Sequence, residues 1–216
     1  MVIKGVIFDL DGTLLDSLGD VADYANAVLL TYGFETRSKE EYRYLAGQGA
    51  YNLMAASSGS KDEALISNMA AEFKKIYEES EGSSRPYTGI DRMLDELILR
   101  GVKIAILSNK PDRLTKICAE RYFGGYDFAA VFGQKDGGAV KPDPAGALEI
   151  ADIFGLCPSE IMIVGDTKND ILTAKNGGFY SVGVTWGFRD RAELEASGAD
   201  AIVDRCEDIP RLSNII

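Results

Sequence analysis

Two aspartates follow the first apolar segment of the chain. Residues 2–8 are apolar and largely β-branched, and they lead into Asp9-Leu10-Asp11-Gly12-Thr13. In an extended segment, residues two positions apart face the same side, so the carboxylates of Asp9 and Asp11 can address one ligand. Such a pair suits phosphoryl transfer, because one carboxylate can attack phosphorus while the other protonates the departing alkoxide and then activates water. A polar turn is the alternative, but the preceding apolar segment and the following Gly-Thr favour the catalytic interpretation.

A second pair of acids lies in Gly165-Asp166-Thr167-Lys168-Asn169-Asp170, again after an apolar segment. Asp166 and Asp170 are four positions apart, which places them on one side of an opening helical turn. Asp166 could instead be a simple helix N-cap. Converging carboxylates in a chain without histidine favour a hard cation, and Mg²⁺ held by carboxylates, substrate phosphate and water fits this requirement.

Two further polar groups could hold phosphoryl oxygens. Ser108 follows the apolar segment 103–107, and Lys141 precedes Pro142, which favours an extended conformation for the lysine. Taken alone, Lys141 could equally be an ordinary lysine of a solvated turn. Together with the acid pairs, Ser108 and Lys141 are predicted to bind the phosphoryl group.

The composition excludes several other chemistries. The chain of 216 residues contains no histidine, which excludes a Ser-His-Asp triad, a phosphohistidine and histidine-ligated metal sites. A cysteine-based phosphatase needs an arginine six positions after the cysteine, where this chain has Gly124, Ile163 and Leu212. The GxxxxGK[ST] phosphate loop is also missing. A net charge of −11 argues against a nucleic acid or an anionic membrane as partner.

The elements that must position these residues alternate along most of the chain. Apolar segments typical of buried strands lie at 2–8, 103–107 and 161–164, with weaker ones at 129–132, 180–184 and 201–203. Helical patterns alternate with them at about 89–100, 112–121, 144–154 and 168–176. We therefore predict an α/β fold with a doubly wound, Rossmann-like parallel sheet. Residues 17–84 show only helical periodicity, so we predict a core of residues 1–16 and 85–216 with a helical cap at 17–84. No apolar run spans a bilayer and the first residues do not resemble a signal peptide, so we expect a cytoplasmic location.

Four segments in this order resemble the motifs of the haloacid dehalogenase (HAD) superfamily of phosphatases: 9–14, 107–110, 141–144 and 165–170. The resemblance implies an α/β core with an inserted cap. It implies that Asp9 is a nucleophile forming an aspartyl phosphate and that Asp11 is the general acid and base. It further implies that the Asp9 and Asp166 side chains and the Asp11 carbonyl hold Mg²⁺, with Asp170 supporting them and Lys141.

Details within the superfamily narrow the expected substrate. Dehalogenases and phosphonoacetaldehyde hydrolases lack an acid at the place of Asp11, so this chain resembles them less. Residues 44–50, 185–188 and 199–200 are similar to those of phosphoglycolate phosphatases. Gln48 and Gly49 either face the site when the cap closes or form an interhelical turn. The resemblance thus implies Mg²⁺-dependent hydrolysis of a small phosphorylated metabolite, with 2-phosphoglycolate as leading candidate, by a monomer or homodimer. The expected substrate-binding residues are Thr13, Gln48, Gly49, Ser108, Asn109 and Lys141.

Three alternatives remain open from the sequence. One is a β-phosphoglucomutase-like isomerase, which would return the phosphoryl group to a sugar, although Thr13 and the cap favour hydrolysis. Another is a pyrophosphatase or nucleotidase of the same superfamily. The third is a non-catalytic phosphate-binding module, which the complete set of acids argues against, because a pure binder gains nothing from a nucleophile and an acid/base.

Overall fold

The computed structural model describes residues 2–135 and 137–212, and the chain forms strands and helices throughout these ranges. The strands are β1 (Gly5–Phe8), β2 (Leu15–Asp16), β3 (Arg85–Pro86), β4 (Lys103–Pro111), β5 (Val131–Gln134), β6 (Ile161–Gly165), β7 (Tyr180–Val184) and β8 (Ala201–Val203). The α-helices are α1 (Leu18–Thr31), α2 (Lys39–Leu45), α3 (Gly49–Ser58), α4 (Glu63–Glu79), α5 (Ile90–Leu99), α6 (Asp112–Phe123), α7 (Ala145–Phe154), α8 (Lys168–Gly177) and α9 (Arg191–Ala196).

A parallel sheet of six strands forms the centre of the molecule, in the order β5-β4-β1-β6-β7-β8. The strand order reverses at β1, which is paired with β4 on one side and with β6 on the other. In open α/β sheets, ligands bind beyond the carboxyl ends of the strands at such a reversal. The predicted doubly wound α/β fold is confirmed.

Both faces of this sheet are buried, as the continuous apolar segments predict. Val6 and Phe8 pack into one hydrophobic cluster, whereas Ile7, which points to the opposite face, packs into a second cluster with Ile150 and Phe154 of α7. Full burial of such a side chain contributes about 1.5–3 kcal/mol relative to exposure. Because every residue of β1 is buried, the position of the residues that follow it is tightly determined.

Helices α1–α4 lie between β2 and β3, which pair with each other in antiparallel orientation. The Asp20 carboxylate joins the start of α1 to the segment that precedes β3. It accepts hydrogen bonds from the backbone N–H groups of Ser83 at 2.7 Å and Ser84 at 2.9 Å and from both serine hydroxyls. These helices fall within the predicted insertion at 17–84. The division into a core and a separate cap stays a prediction.

Three details of the fold differ from the predicted elements. Helix α3 was not predicted, and an interhelical turn at Gln48 and Gly49 was one of two interpretations; in the structure Gly49 begins the helix with a φ of +81°. Strand β4 continues to Pro111, so Ser108 and Asn109 lie within the strand instead of after it. The helix α9 was not predicted. In the described residues, no helix has the length and hydropathy needed to cross a membrane.

Candidate active site

The ends of three adjacent strands bring the predicted acids and Ser108 to one edge of the sheet. Asp9 follows β1, Ser108 lies in the last part of β4, and Asp166 follows β6. The backbone N–H of Asp9 donates to the carbonyl of Val164 at 2.9 Å, which continues the pairing of β1 and β6 into the site. Asp9, Ser108 and Asp166 are all buried.

Lys141 joins two of the acids. Its Nζ donates to Oδ1 of Asp9 at 2.7 Å and to Oδ1 of Asp170 at 2.6 Å. Asn109 holds the lysine backbone from both sides, because its Oδ1 accepts from the Lys141 N–H at 2.8 Å and its Nδ2 donates to the Lys141 carbonyl at 3.0 Å. Burial lowers the pKa of the Lys141 amine, but the carboxylates of Asp170 and Asp9 outweigh burial and raise it, so the lysine is charged.

The three buried carboxylates of Asp9, Asp166 and Asp170 each place an oxygen within 4.8 Å of the others. Burial is the main cause that raises the pKa of Asp9 to about 7, against the opposing effect of Lys141. Burial, followed by the charges of Asp9 and Asp170, raises the pKa of Asp166 well above its usual value. Three carboxylates facing one ammonium leave excess negative charge, and oxygen donors are the ligands that Mg²⁺ prefers. The donor set therefore fits a divalent hard cation.

Asp166 is held by groups from a distant loop. Its Oδ2 accepts from the backbone N–H of Phe188 at 2.7 Å, and the hydroxyl of Thr13 lies 3.4 Å from its Oδ1. The Thr13 carbonyl also accepts from the indole N–H of Trp186 at 3.0 Å. Thr13 thus contacts the Asp166 carboxylate and lies outside the set of residues that line the cavity described below.

Asp11 has partners that the sequence did not identify. Its Oδ1 accepts from the hydroxyl of Ser17 at 2.6 Å, and Nζ of Lys110 lies 3.1 and 3.2 Å from its two carboxylate oxygens. Nζ of Lys110 also lies 3.7 Å from the ring centroid of Tyr77 in α4, a cation–π distance. Burial lowers the pKa of Lys110, but the nearby Asp11 carboxylate outweighs burial and raises it. The position of Lys110 directly after Ser108-Asn109 was the feature of the sequence that could have identified it as a site residue.

A cavity lies between the core and the inserted helices. The core contributes charged and polar residues to its lining, namely Asp9, Asp11, Ser108, Lys110 and Lys141. The inserted helices and their connections contribute small and apolar residues, namely Val21, Ala46, Gly47, Gly49, Ala50, Leu53 and Phe73. The cavity is therefore charged at its core side and apolar at the opposite side.

The two residues predicted on the insertion differ in position. Gly49 lines the cavity, and a Cβ at this position would lie 2.4 Å from Oε1 of Gln134 in β5. Gln48 is exposed and lies outside the cavity lining; its carbonyl accepts from Nδ2 of Asn52 at 2.9 Å. Their predicted role in substrate binding stays a prediction.

Hydrogen bonds across the cavity hold the inserted helices against the core. The Gly47 carbonyl accepts from Nδ2 of Asn109 at 3.1 Å and from Nδ2 of Asn169 at 3.3 Å. Asn109 therefore bonds to both the Lys141 backbone and the insertion. Asn169 was not predicted as a site residue, and its position after Asp166-Thr167-Lys168 gave no separate signal.

Two arginines make reciprocal contacts nearby, and we call this pair the arginine clasp. Arg43 in α2 donates to the carbonyls of Phe188 at 2.9 Å and Gly187 at 3.2 Å. Arg189 in the core donates to the carbonyls of Tyr44 and Ala46, both at 3.2 Å. The clasp joins the insertion to the loop that holds Asp166.

Comparison with known proteins identifies the family of this chain. A family model for haloacid dehalogenase-like hydrolases matches residues 6–184. The phosphoglycolate phosphatase of Pseudomonas putida is 32% identical over 92% of this chain and 75% of its own length. That of Xylella fastidiosa is 32% identical over 94% of this chain and 89% of its own length.

Solved structures show the same architecture. The crystal structure of a predicted phosphoglycolate phosphatase from Haemophilus somnus has a TM-score of 0.86 and 29% identity, covering 97% of both chains. A haloacid dehalogenase-like family hydrolase from Streptococcus pneumoniae shares the fold with a TM-score of 0.83, at 23% identity and 97% coverage of both chains. The family match spans most of the chain and all four motifs, so this protein belongs to the haloacid dehalogenase-like hydrolases and is similar over nearly its whole length to phosphoglycolate phosphatases.

Proposed function

We propose that this enzyme is an Mg²⁺-dependent phosphatase that hydrolyses a small phosphomonoester, with 2-phosphoglycolate as its leading substrate. The observation that carries the proposal is the placement of Asp9 and Asp11 on one cavity wall, with Lys141 on Asp9 and the Asp166 and Asp170 carboxylates beside it. The similarity to curated phosphoglycolate phosphatases supports the choice of substrate. A cytoplasmic location and a monomeric or homodimeric state stay predictions from the sequence.

The proposed reaction has two steps. A carboxylate oxygen of Asp9 attacks phosphorus and the ester P–O bond breaks, while Asp11 gives a proton to the departing alcohol oxygen. Asp11 then takes a proton from a water molecule, which attacks the phosphorus, and the bond between phosphorus and Asp9 breaks to release phosphate. Asp11 regains its initial protonated state, so protons balance over the cycle.

The remaining site residues hold and orient the phosphoryl group. Lys141 and the Ser108 hydroxyl are placed to bind its oxygens. The Asp9 and Asp166 side chains and the Asp11 carbonyl would hold Mg²⁺, with Asp170 in support, and the cation would supply positive charge that offsets repulsion between the carboxylates and the phosphate. The apolar wall of the insertion excludes water during the first step.

The nucleophile assignment is tested by Asp9→Asn. We expect phosphate release from 2-phosphoglycolate in Mg²⁺ buffer to fall by about 10³-fold or more, because an amide cannot form the covalent intermediate. Asp152→Asn, an exposed aspartate of α7, is the matched control and is expected to keep wild-type activity. Full activity of the Asp9→Asn variant, with an unchanged circular dichroism spectrum, would rule out this nucleophile.

The substrate is tested by comparing kcat/KM for 2-phosphoglycolate, sugar phosphates, nucleotides and pyrophosphate. A preference for 2-phosphoglycolate supports the proposal. Formation of glucose 6-phosphate from β-glucose 1-phosphate without free phosphate would identify an isomerase instead. A lack of activity on the whole panel in Mg²⁺ would favour a binding module.

A further inference from the structure

Lys110 is a buried cation that the proposed reaction does not use. Its side chain is only 5% exposed, yet it lines the cavity beside Asp11. Its position on the ring of Tyr77 places the ammonium group where β4 of the core meets α4 of the insertion. Lys110 therefore lies at the boundary between the phosphoryl site and the wall formed by the inserted helices.

Among the described residues that line the cavity, the positively charged side chains are Lys110 and Lys141. The ammonium group of Lys141 is shared between Asp9 and Asp170, on the side where the phosphoryl group is proposed to bind. Lys110 contacts Asp11, the residue that faces the leaving group in the proposed reaction. The leaving group thus has one cation within its part of the cavity.

Besides the two lysines, the described lining offers an anion only uncharged groups, among them the side chains of Asn109 and Asn169. Leu53 and Phe73 present hydrocarbon, and Ala46 and Ala50 present only small side chains. Burying an anionic group is strongly unfavourable unless a charged or hydrogen-bonding partner compensates for its lost hydration. An anion on the leaving alcohol would therefore have Lys110 as its charged partner among the described lining residues, whereas a neutral leaving alcohol would not need one.

We propose that Lys110 determines substrate specificity by binding a carboxylate on the leaving alcohol of the phosphomonoester. This proposal rests on the proposed function, because it assumes that the ester oxygen lies at Asp11. In 2-phosphoglycolate the carboxylate carbon is two bonds from the ester oxygen, so an ester oxygen at Asp11 brings the carboxylate to the immediate neighbourhood of Asp11, where Lys110 lies. The buried ammonium then forms a charge-assisted hydrogen bond with it.

A purely structural role for Lys110 makes a different prediction. If the lysine only positioned Asp11, its removal would impair carboxylated and neutral substrates equally. A role in binding the leaving group affects the carboxylated ligand alone. Two non-hydrolysable phosphonates separate these roles, because 3-phosphonopropionate has the carboxylate of 2-phosphoglycolate and propylphosphonate has a methyl group in its place.

The experiment measures the Kd of each phosphonate by calorimetry in Mg²⁺ buffer, which requires no turnover. We expect wild type to bind 3-phosphonopropionate about tenfold or more tightly than propylphosphonate, as a charged hydrogen bond implies. Lys110→Met should remove this preference while leaving the Kd of propylphosphonate within about twofold of wild type, because that ligand makes no ion pair. Lys110→Arg should keep part of the preference. Lys116→Met, which removes an exposed lysine of α6, is the matched control and should keep all of it.

Two results would overturn the proposal. One is equal binding of the two phosphonates by wild type, a result that needs no variant to fold. The other is an equal loss of affinity for both phosphonates in Lys110→Met. If wild type still hydrolyses 2-phosphoglycolate in either case, only the role of Lys110 fails. If wild type releases no phosphate from any ester in Mg²⁺, the proposed function fails as well.

Discussion

At the level of single residues, the site is organised by unbalanced negative charge. Lys141 pairs with Asp9 and Asp170, whereas Asp166 has no cationic partner among the described residues and depends on the Phe188 N–H. Burial raises the pKa values of Asp9 and Asp166, so protons stabilise the metal-free site. A bound cation would take the place of those protons at neutral pH.

This charge arrangement predicts a pH-dependent stability. The pKa of Asp9 rises from 3.8 to about 7 on folding, so its contribution to stability is complete below pH 3.8 and is lost as the pH rises towards 7. Metal-free wild type should therefore lose stability between pH 5 and pH 7 through this group, and Mg²⁺ should raise Tm more at pH 7 than at pH 5. At a concentration about ten times Kd, Mg²⁺ adds about 1.4 kcal/mol.

Asp166→Asn tests the same effect. Because it removes one buried acid and one predicted metal ligand, we expect this variant to lose less stability between pH 5 and pH 7 and to gain none from Mg²⁺. Thermal unfolding with and without Mg²⁺ measures both quantities, and the exposed-site variant Asp152→Asn should behave as wild type. An unchanged Mg²⁺ effect in Asp166→Asn would contradict the assigned ligand.

At the level of elements, the loops after β1 and β7 pack directly on Asp166. Gly12 has a φ of +88°, and a Cβ there would lie 2.3 Å from Oδ2 of Asp166. A Cβ at Gly187 would lie 2.3 Å from the Cβ of Asp166. These approaches leave no room for a side chain, so the two loops determine where the carboxylate lies.

Gly12→Ala should therefore affect activity more than stability. Alanine at a positive φ costs about 1–2 kcal/mol in any position, and here it must also displace Asp166. We expect kcat to fall at least about tenfold, since a displacement of about 1 Å in a catalytic site can cost about 100-fold. Gly33→Ala is the matched control, because Gly33 has a φ of +77° and nothing within 4 Å of the added Cβ. Urea unfolding should show the loss of stability from the positive φ in both variants and a further loss in Gly12→Ala from the displaced Asp166. A Gly12→Ala enzyme with full kcat would contradict this explanation.

At the level of the whole molecule, hydrogen bonds join the inserted helices to the core around the cavity. The arginine clasp and the two asparagines on the Gly47 carbonyl connect the insertion to the core around Asp166 and Lys141. The Phe188 backbone takes part in both systems, because its N–H binds Asp166 and its carbonyl accepts from Arg43. The loop that contains Phe188 therefore contacts both the inserted helices and the predicted metal ligand Asp166.

Loss of the clasp should open the cavity by releasing the inserted helices from the core. We expect Arg43→Met and Arg189→Met each to raise KM about three- to tenfold, with faster amide hydrogen exchange in residues 44–50, because hydrogen bonds from a charged donor are lost. The effects should not add in the double variant, since both arginines hold the same two segments. Arg191→Met, at an exposed arginine of α9, is the control. Exchange rates that match wild type in the double variant would show that the clasp does not hold the closed state.

Much of the core could be predicted from the sequence because its determinants are local. The apolar segments before Asp9 and Asp166 predict buried parallel strands, and the ends of such strands meet at one edge of a sheet. Helix α3 was missed because it begins at a glycine in a conformation that only the surrounding structure stabilises, and β2 and β3 are too short to show a periodic pattern.

The sequence by itself therefore determined the α/β core, the helical character of the insertion and the acids that gather at the strand ends. Only the tertiary structure decided which groups surround those acids: Lys110 on Asp11, the Phe188 N–H on Asp166, and the arginine clasp. The physical reason is sequence separation. Lys110 and Asp11 are 99 positions apart and Arg43 and Phe188 are 145 apart, so no local pattern records their contact. The contacts of Lys110 and Phe188 depend on which strands and loops of the core lie side by side, and the arginine clasp depends on how the inserted helices pack on the core.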